Sequence, residues 1–82
     1  LPAEKSARAQ ERRRKSNRLV RSSTRTIVKK AERLVDQGDA TGGALEVARA
    51  TSALDRAAHK GVIHPNNAAR RKSRLARKLN GL

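Results

Sequence analysis

The stretch Arg12–Asp36, RRRKSNRLVRSSTRTIVKKAERLVD, decides the fold. It contains no Gly or Pro, and neither does the chain back to Lys5. Backbone propensity therefore predicts one helix from about Lys5 to Asp36, roughly 48 Å long at about 1.5 Å per residue. At about 100° per residue, Val20, Ile27, Ala31, Leu34 and Val35 share one face, while Arg14, Arg18, Arg21, Arg25 and Lys29 form a stripe on the other. The second half is thus amphipathic. In the first half Arg12, Arg13, Arg14 and Lys15 are consecutive, point to every side and leave no apolar face to bury. That half is predicted to project beyond the core, and to be disordered before about Arg18 until phosphates neutralise it.

Two breaks follow: Gly38–Gly43 (GDATGG), and Gly61 with Pro65 shortly after it. Between them, a second helix from about Ala44 to Lys60 places Val47, Ala50, Thr51, Leu54, Ala57 and Ala58 on one face, with Arg49, Ser52, Asp55 and His59 opposite. A third helix runs from Pro65 to about Asn80. Pro65 suits a first helical position, and His64 is an unusual candidate for the cap before it. Ala68, Leu75, Ala76 and Leu79 share its apolar face, and Lys72 falls inside that arc with its stem packed and its ammonium directed to water or phosphate. Three amphipathic helices with short connections predict an all-α, up-down-up three-helix bundle, a single domain over residues 1–82.

Composition pulls the other way. Leu, Ile and Val number fifteen of 82 residues and the net charge is +14, which is the range of disordered chains. The charge is uneven: residues 1–33 carry net +9, residues 34–60 net −1, and residues 61–82 net +6. Two basic ends flanking a neutral middle call for a polyanion, whose released counterions favour binding. Absence of Cys fits a reducing compartment, and no apolar run reaches the length of a membrane span, so the chain reads as soluble. The first residue is Leu1 rather than Met, which leaves a preceding segment open.

A basic helix face on an ordinary protein usually alternates sign, whereas no acidic residue occurs between Arg12 and Lys30. Polyanion binding outweighs a merely solvated face. The candidate contacts on helix one are Lys5, Arg8, Arg12, Arg13, Arg14, Lys15, Arg18, Arg21, Arg25 and Lys29. Around helix three they are His64, Asn66, Arg70, Arg71, Lys72, Arg74, Arg77 and Lys78. Ser16, Asn17, Ser22, Ser23, Thr24, Thr26 and Ser73 could add hydroxyl or amide contacts. With no aromatic residue, stacking on single-stranded bases is disfavoured, and so is insertion into a bilayer surface. Recognition of phosphate, ribose and shape remains. A nucleoid-type DNA-binding protein and a cationic membrane-surface helix are the alternative readings.

Nothing suggests an enzyme. His59 and His64 are separated by a break and lack partners at metal-ligand spacing. Gly42 and Gly43 lack the Lys and Ser or Thr of a phosphate loop, and the seven acids form no catalytic pair. No cofactor or metal is expected.

From Lys60 the residues run KGVIHPNNAARRKSRL, and upstream come Lys5-Ser6-Ala7, Arg14-Lys15-Ser16-Asn17 and Arg21 to Thr26, with Lys29 and Lys30. This pattern resembles the bacterial-type small-subunit ribosomal protein family numbered twenty, over nearly the whole chain; Leu54 to Ala58 match mainly in pattern. Ala9 and Gln10 stand where many members are basic, and Pro65 replaces a frequent Lys. The resemblance implies a three-helix bundle that binds small-subunit ribosomal RNA early, between its 5′ domain and the long penultimate stem. It also implies few direct protein contacts, no homo-oligomer, and a place in the cytoplasmic ribosome of a bacterium or in an organellar one. The choice of ribosomal RNA over DNA rests on this resemblance.

Overall fold

In a computed structural model, which describes residues 2–82, three helices account for nearly all of the chain: α1 (Pro2–Asp36), α2 (Ala40–His59) and α3 (Pro65–Asn80). The up-down-up arrangement is fixed by contacts between their ends. Gly43, at the start of α2, lies against Val35 near the end of α1 and Leu79 near the end of α3. At the other end of the bundle, Arg21 reaches the Val62 carbonyl beyond α2.

The turn between α1 and α2 is tighter than the GDATGG stretch suggests. Gly38 takes φ 78°, where its missing Cβ removes the steric cost, and its N–H donates to the Val35 carbonyl at 3.0 Å. Asp39 then caps α2, its Oδ1 accepting from the Gly42 N–H at 2.8 Å. The cap starts α2 at Ala40, four residues before the position that the glycines suggest, and takes Gly42 and Gly43 into the helix. Gly61 (φ 77°) closes the other end, where the Val62 N–H donates to Ala57 O at 2.9 Å. His64 is the cap of α3: Nδ1 accepts from the Asn66 N–H at 3.1 Å, and Pro65 occupies the first turn.

Five of the eleven buried apolar residues are alanines, namely Ala31, Ala50, Ala53, Ala57 and Ala68. Small residues let helices approach closely, so this core gains contact density with few large side chains. Leu54 and Leu75 are fully buried at its centre. Burying a leucine contributes about 1.5–3 kcal/mol.

Several face assignments shift by a fraction of a turn. On α1 the buried line is Thr24, Val28, Ala31 and Val35, while Val20, Ile27 and Leu34 flank it half-buried. Thr24 is largely buried, although it lines a recess together with Arg21 and Arg25. Thr26 is turned back on its own helix, donating to the Ser22 carbonyl at 3.0 Å. On α3, Ala76 is exposed and the buried line is Ala68 and Leu75. Among the described residues, no burial occurs on α1 ahead of Val20 beyond partial cover of Ala9 and Asn17. The first half of α1 thus extends past the bundle, giving the molecule extents of 58 × 19 × 13 Å.

Candidate nucleic-acid interface

Placing α3 antiparallel to α2 and beside α1 brings the basic stripe of one terminal helix alongside that of the other. Arg25 and Lys29 of α1 face Arg71 and Arg74 of α3 across a groove of about 480 Å³ that Val28 and Glu32 also line. It adjoins a second recess of about 330 Å³ lined by Arg21, Arg25, His64, Asn67 and Arg71. The two share Arg25 and Arg71, so they form one basic trough along the α1–α3 face. Residues fifty positions apart in the chain thereby present one field, and although Glu32 also lines the groove, its four cations leave it net positive, which raises the local concentration of an anionic partner.

The remaining candidates fall into three groups. Lys5, Arg8, Arg12, Arg13, Arg14 and Lys15 are exposed on the projecting half of α1, and Arg14 and Arg18 continue the helical stripe of Arg21, Arg25 and Lys29. Asn66, Arg70 and Arg77 are exposed on α3, Arg77 donating from Nε to the Ser73 carbonyl at 3.4 Å. Lys72 and Lys78 are engaged within the protein. The Lys72 ammonium lies 2.6 Å from Asp55 Oδ1 and that of Lys78 3.4 Å from Asp36 Oδ1. Lys72 thus directs its charge to a carboxylate of α2 rather than to open solvent. Half-exposed pairs of this kind contribute about 0–1 kcal/mol, so they tie α3 down while remaining exchangeable for phosphate.

Two further features lie outside the expected set. Glu46 is buried between α1 and α2, 3.6 Å from Lys30 and 3.3 Å from Arg49, which occupies two cations on the side away from the trough. Its signal in the sequence is an acid three residues before Arg49, on a helix whose other buried residues are apolar or Gly. Leu19 and Leu45 are exposed large apolar residues. Among the described residues no group of His, Cys, Asp and Glu could hold a metal ion, and no helix is long and apolar enough to cross a membrane.

The geometry offers an extended cationic face without a stacking ring or a reactive group, suited to a grip on a phosphate backbone. Comparison with known proteins agrees. Residues 2–80 match the family model described as Ribosomal protein S20. The chain is 52% identical to the small ribosomal subunit protein bS20 of Thermomicrobium roseum over 86 aligned positions, spanning 100% of this chain and 87% of that protein. It is 57% identical to the bS20 protein of Roseiflexus sp. over 94% of this chain and 83% of that one. With the bS20 protein of Dehalococcoides mccartyi the identity is 47%, over 95% and 89%.

Proposed function

The chain belongs to the ribosomal protein S20 family, and from that premise we propose that it holds small-subunit ribosomal RNA along the α1–α3 trough and the projecting half of α1. It is a structural constituent of the small ribosomal subunit and not an enzyme. The observation that carries the contact assignment is the placement of Arg21, Arg25, Lys29, Arg71 and Arg74 on one face, with no carboxylate paired to Arg21, Arg25 or Arg71 among the described residues. Arginine forks placed at successive phosphates fix register and orientation on a folded RNA without reading its sequence.

A helix nearly three times longer than the bundle is wide supports a bridging role. The trough holds one RNA element while the projecting half, charged on all sides, reaches another. By family resemblance these are the 5′ domain and the long penultimate stem. As the relatives are bacterial proteins of the small subunit, the working site is the cytoplasmic ribosome, where one copy acts with few direct protein contacts.

Competition binding tests this. Small-subunit RNA is expected to retain the protein against duplex DNA or anionic vesicles at comparable concentration. Displacement by either at equal concentration would overturn the assignment. Footprinting on the 5′ domain and on the penultimate stem, with and without the residues ahead of Arg18, separates the two sites. Removing those residues should abolish one footprint and leave the other.

A further inference from the structure

We infer that Arg21 and Arg71 form a preorganised clamp for a single tetrahedral oxyanion, which is a backbone phosphate if the RNA-binding reading on which this rests is right. Among the cations that line this recess, these two are the ones held by a hydrogen bond from Nε. Arg21 donates from Nε to the Val62 carbonyl at 3.4 Å, an attachment 41 residues away in the chain and itself partly buried. Arg71 donates from Nε to Asn67 Oδ1 at 3.0 Å, one helical turn earlier. Each bond occupies the N–H on the stem side of the guanidinium and leaves the terminal Nη groups to serve a ligand.

Both arginines line the same 330 Å³ recess, with Arg25 and His64 at its walls. A free arginine must give up rotamer freedom to bind, but one already fixed in its plane gives up less for each hydrogen bond formed. His64 contributes in a second way. With Nδ1 accepting from the Asn66 N–H, a neutral ring carries its proton on Nε2, a donor beside the same recess. Asn67 is a positioning residue: its side-chain oxygen orients Arg71 and need not touch the anion.

The test uses the full chain and two probes. In RNA binding, Arg21→Lys and Arg71→Lys keep the charge but lose the fork, and are expected to weaken affinity about tenfold each. Asn67→Ala, which leaves the net charge unaltered, should weaken it about threefold without changing the salt slope. Arg56→Lys, on α2 and away from the trough, should leave it unchanged. In the second arm, inorganic phosphate added to the free protein should shift the Nε–Hε resonances of Arg21 and Arg71 and not that of Arg56, with circular dichroism confirming equal helix content.

If Arg21→Lys, Arg71→Lys and Asn67→Ala all bind RNA like the wild type, and phosphate moves no resonance selectively, the clamp is refuted while the broader RNA-binding reading stands. If the wild type fails to retain small-subunit RNA, that broader reading falls, and selective phosphate shifts then support an oxyanion site whose ligand is not RNA. Absence of such shifts would overturn the clamp there as well.

Discussion

A β-carbon placed on Gly43 would stand 3.2 Å from Val35 Cγ2, so the α2 backbone begins close against the Val35 side chain at the end of α1. Leu79 Cδ1, 3.6 Å from the same point, brings the end of α3 to this junction. All three helices therefore meet at a residue without a side chain. Gly43→Val is expected to cost about 1–3 kcal/mol through overpacking. Gly43→Ala should change stability by less than about 1 kcal/mol, because its better helix propensity offsets the crowding. Chemical denaturation measures both. Equal stability of the Val variant and the wild type would show that the junction is loose.

Core and surface can be separated by substitution. Leu54→Asp puts a charge where the side chain is fully buried and should abolish most helical structure. Arg18→Glu and Arg25→Glu lie on exposed positions of α1 and should weaken RNA binding with little loss of helix content. Circular dichroism and RNA affinity on all three decide the matter. Parallel losses in both observables for every variant would refute the division.

The ease with which the fold reads from sequence follows from where its information resides. Helical periodicity requires only residue order, so the three segments and the Arg14–Lys29 stripe were legible. The extent of burial was not, because counting Leu, Ile and Val ignores alanine seams such as Ala31, Ala50 and Ala57, each fully buried. Helix phase was read to within a fraction of a turn: Val28 and Thr24 took the buried line that Val20 and Ile27 suggested. Asp39 shows why the start of α2 was misplaced, since a cap can carry glycines into a first turn that composition reads as loop. Of the candidate interface, the residue types were legible. Which cations are free and which are tied to Asp55, Asp36 or Glu46 depends on inter-helix distances that spacing does not contain.

His64 has a structural duty that can be separated from any contact with RNA. As the acceptor for the Asn66 N–H it caps α3, so His64→Ala should cost about 0.5–2 kcal/mol and His64→Asn should recover most of that. If the ring also donates to phosphate, His64→Asn will remain weaker than wild type in RNA affinity despite its restored stability. Thermal melts paired with binding isotherms make the comparison. Full recovery of both properties would reduce His64 to a cap alone.

Salt dependence reports how many cations act together. Neutralising about 8 phosphates predicts that log K falls against log salt with a slope near −7. Lys72→Gln and Lys78→Gln should alter that slope less than Arg25→Gln or Arg74→Gln, because each lysine begins in an ion pair. A wild-type slope shallower than about −3 would rule out a phosphate-dominated grip.

The longest-reaching prediction concerns the projecting half of α1. From Ala3 to Asn17 the helix is exposed almost all round, so in this region intrahelical hydrogen bonds act with hardly any packing behind them. A helical segment of this length without tertiary support is marginal in water, and the consecutive charges of Arg12, Arg13, Arg14 and Lys15 oppose it further. RNA reverses both terms, since phosphates neutralise the charges and supply a surface to lie on. Ordering should therefore accompany binding, with the bundle from about Val20 onward persisting throughout. Residue-resolved hydrogen exchange provides the measurement. Amides of Lys5 to Asn17 should exchange freely in the isolated protein and become protected on small-subunit RNA, whereas those around Leu54 and Leu75 should be protected in both states. Protection of Lys5 to Asn17 before RNA is added would mean that the helix is preformed and that binding carries no folding cost there.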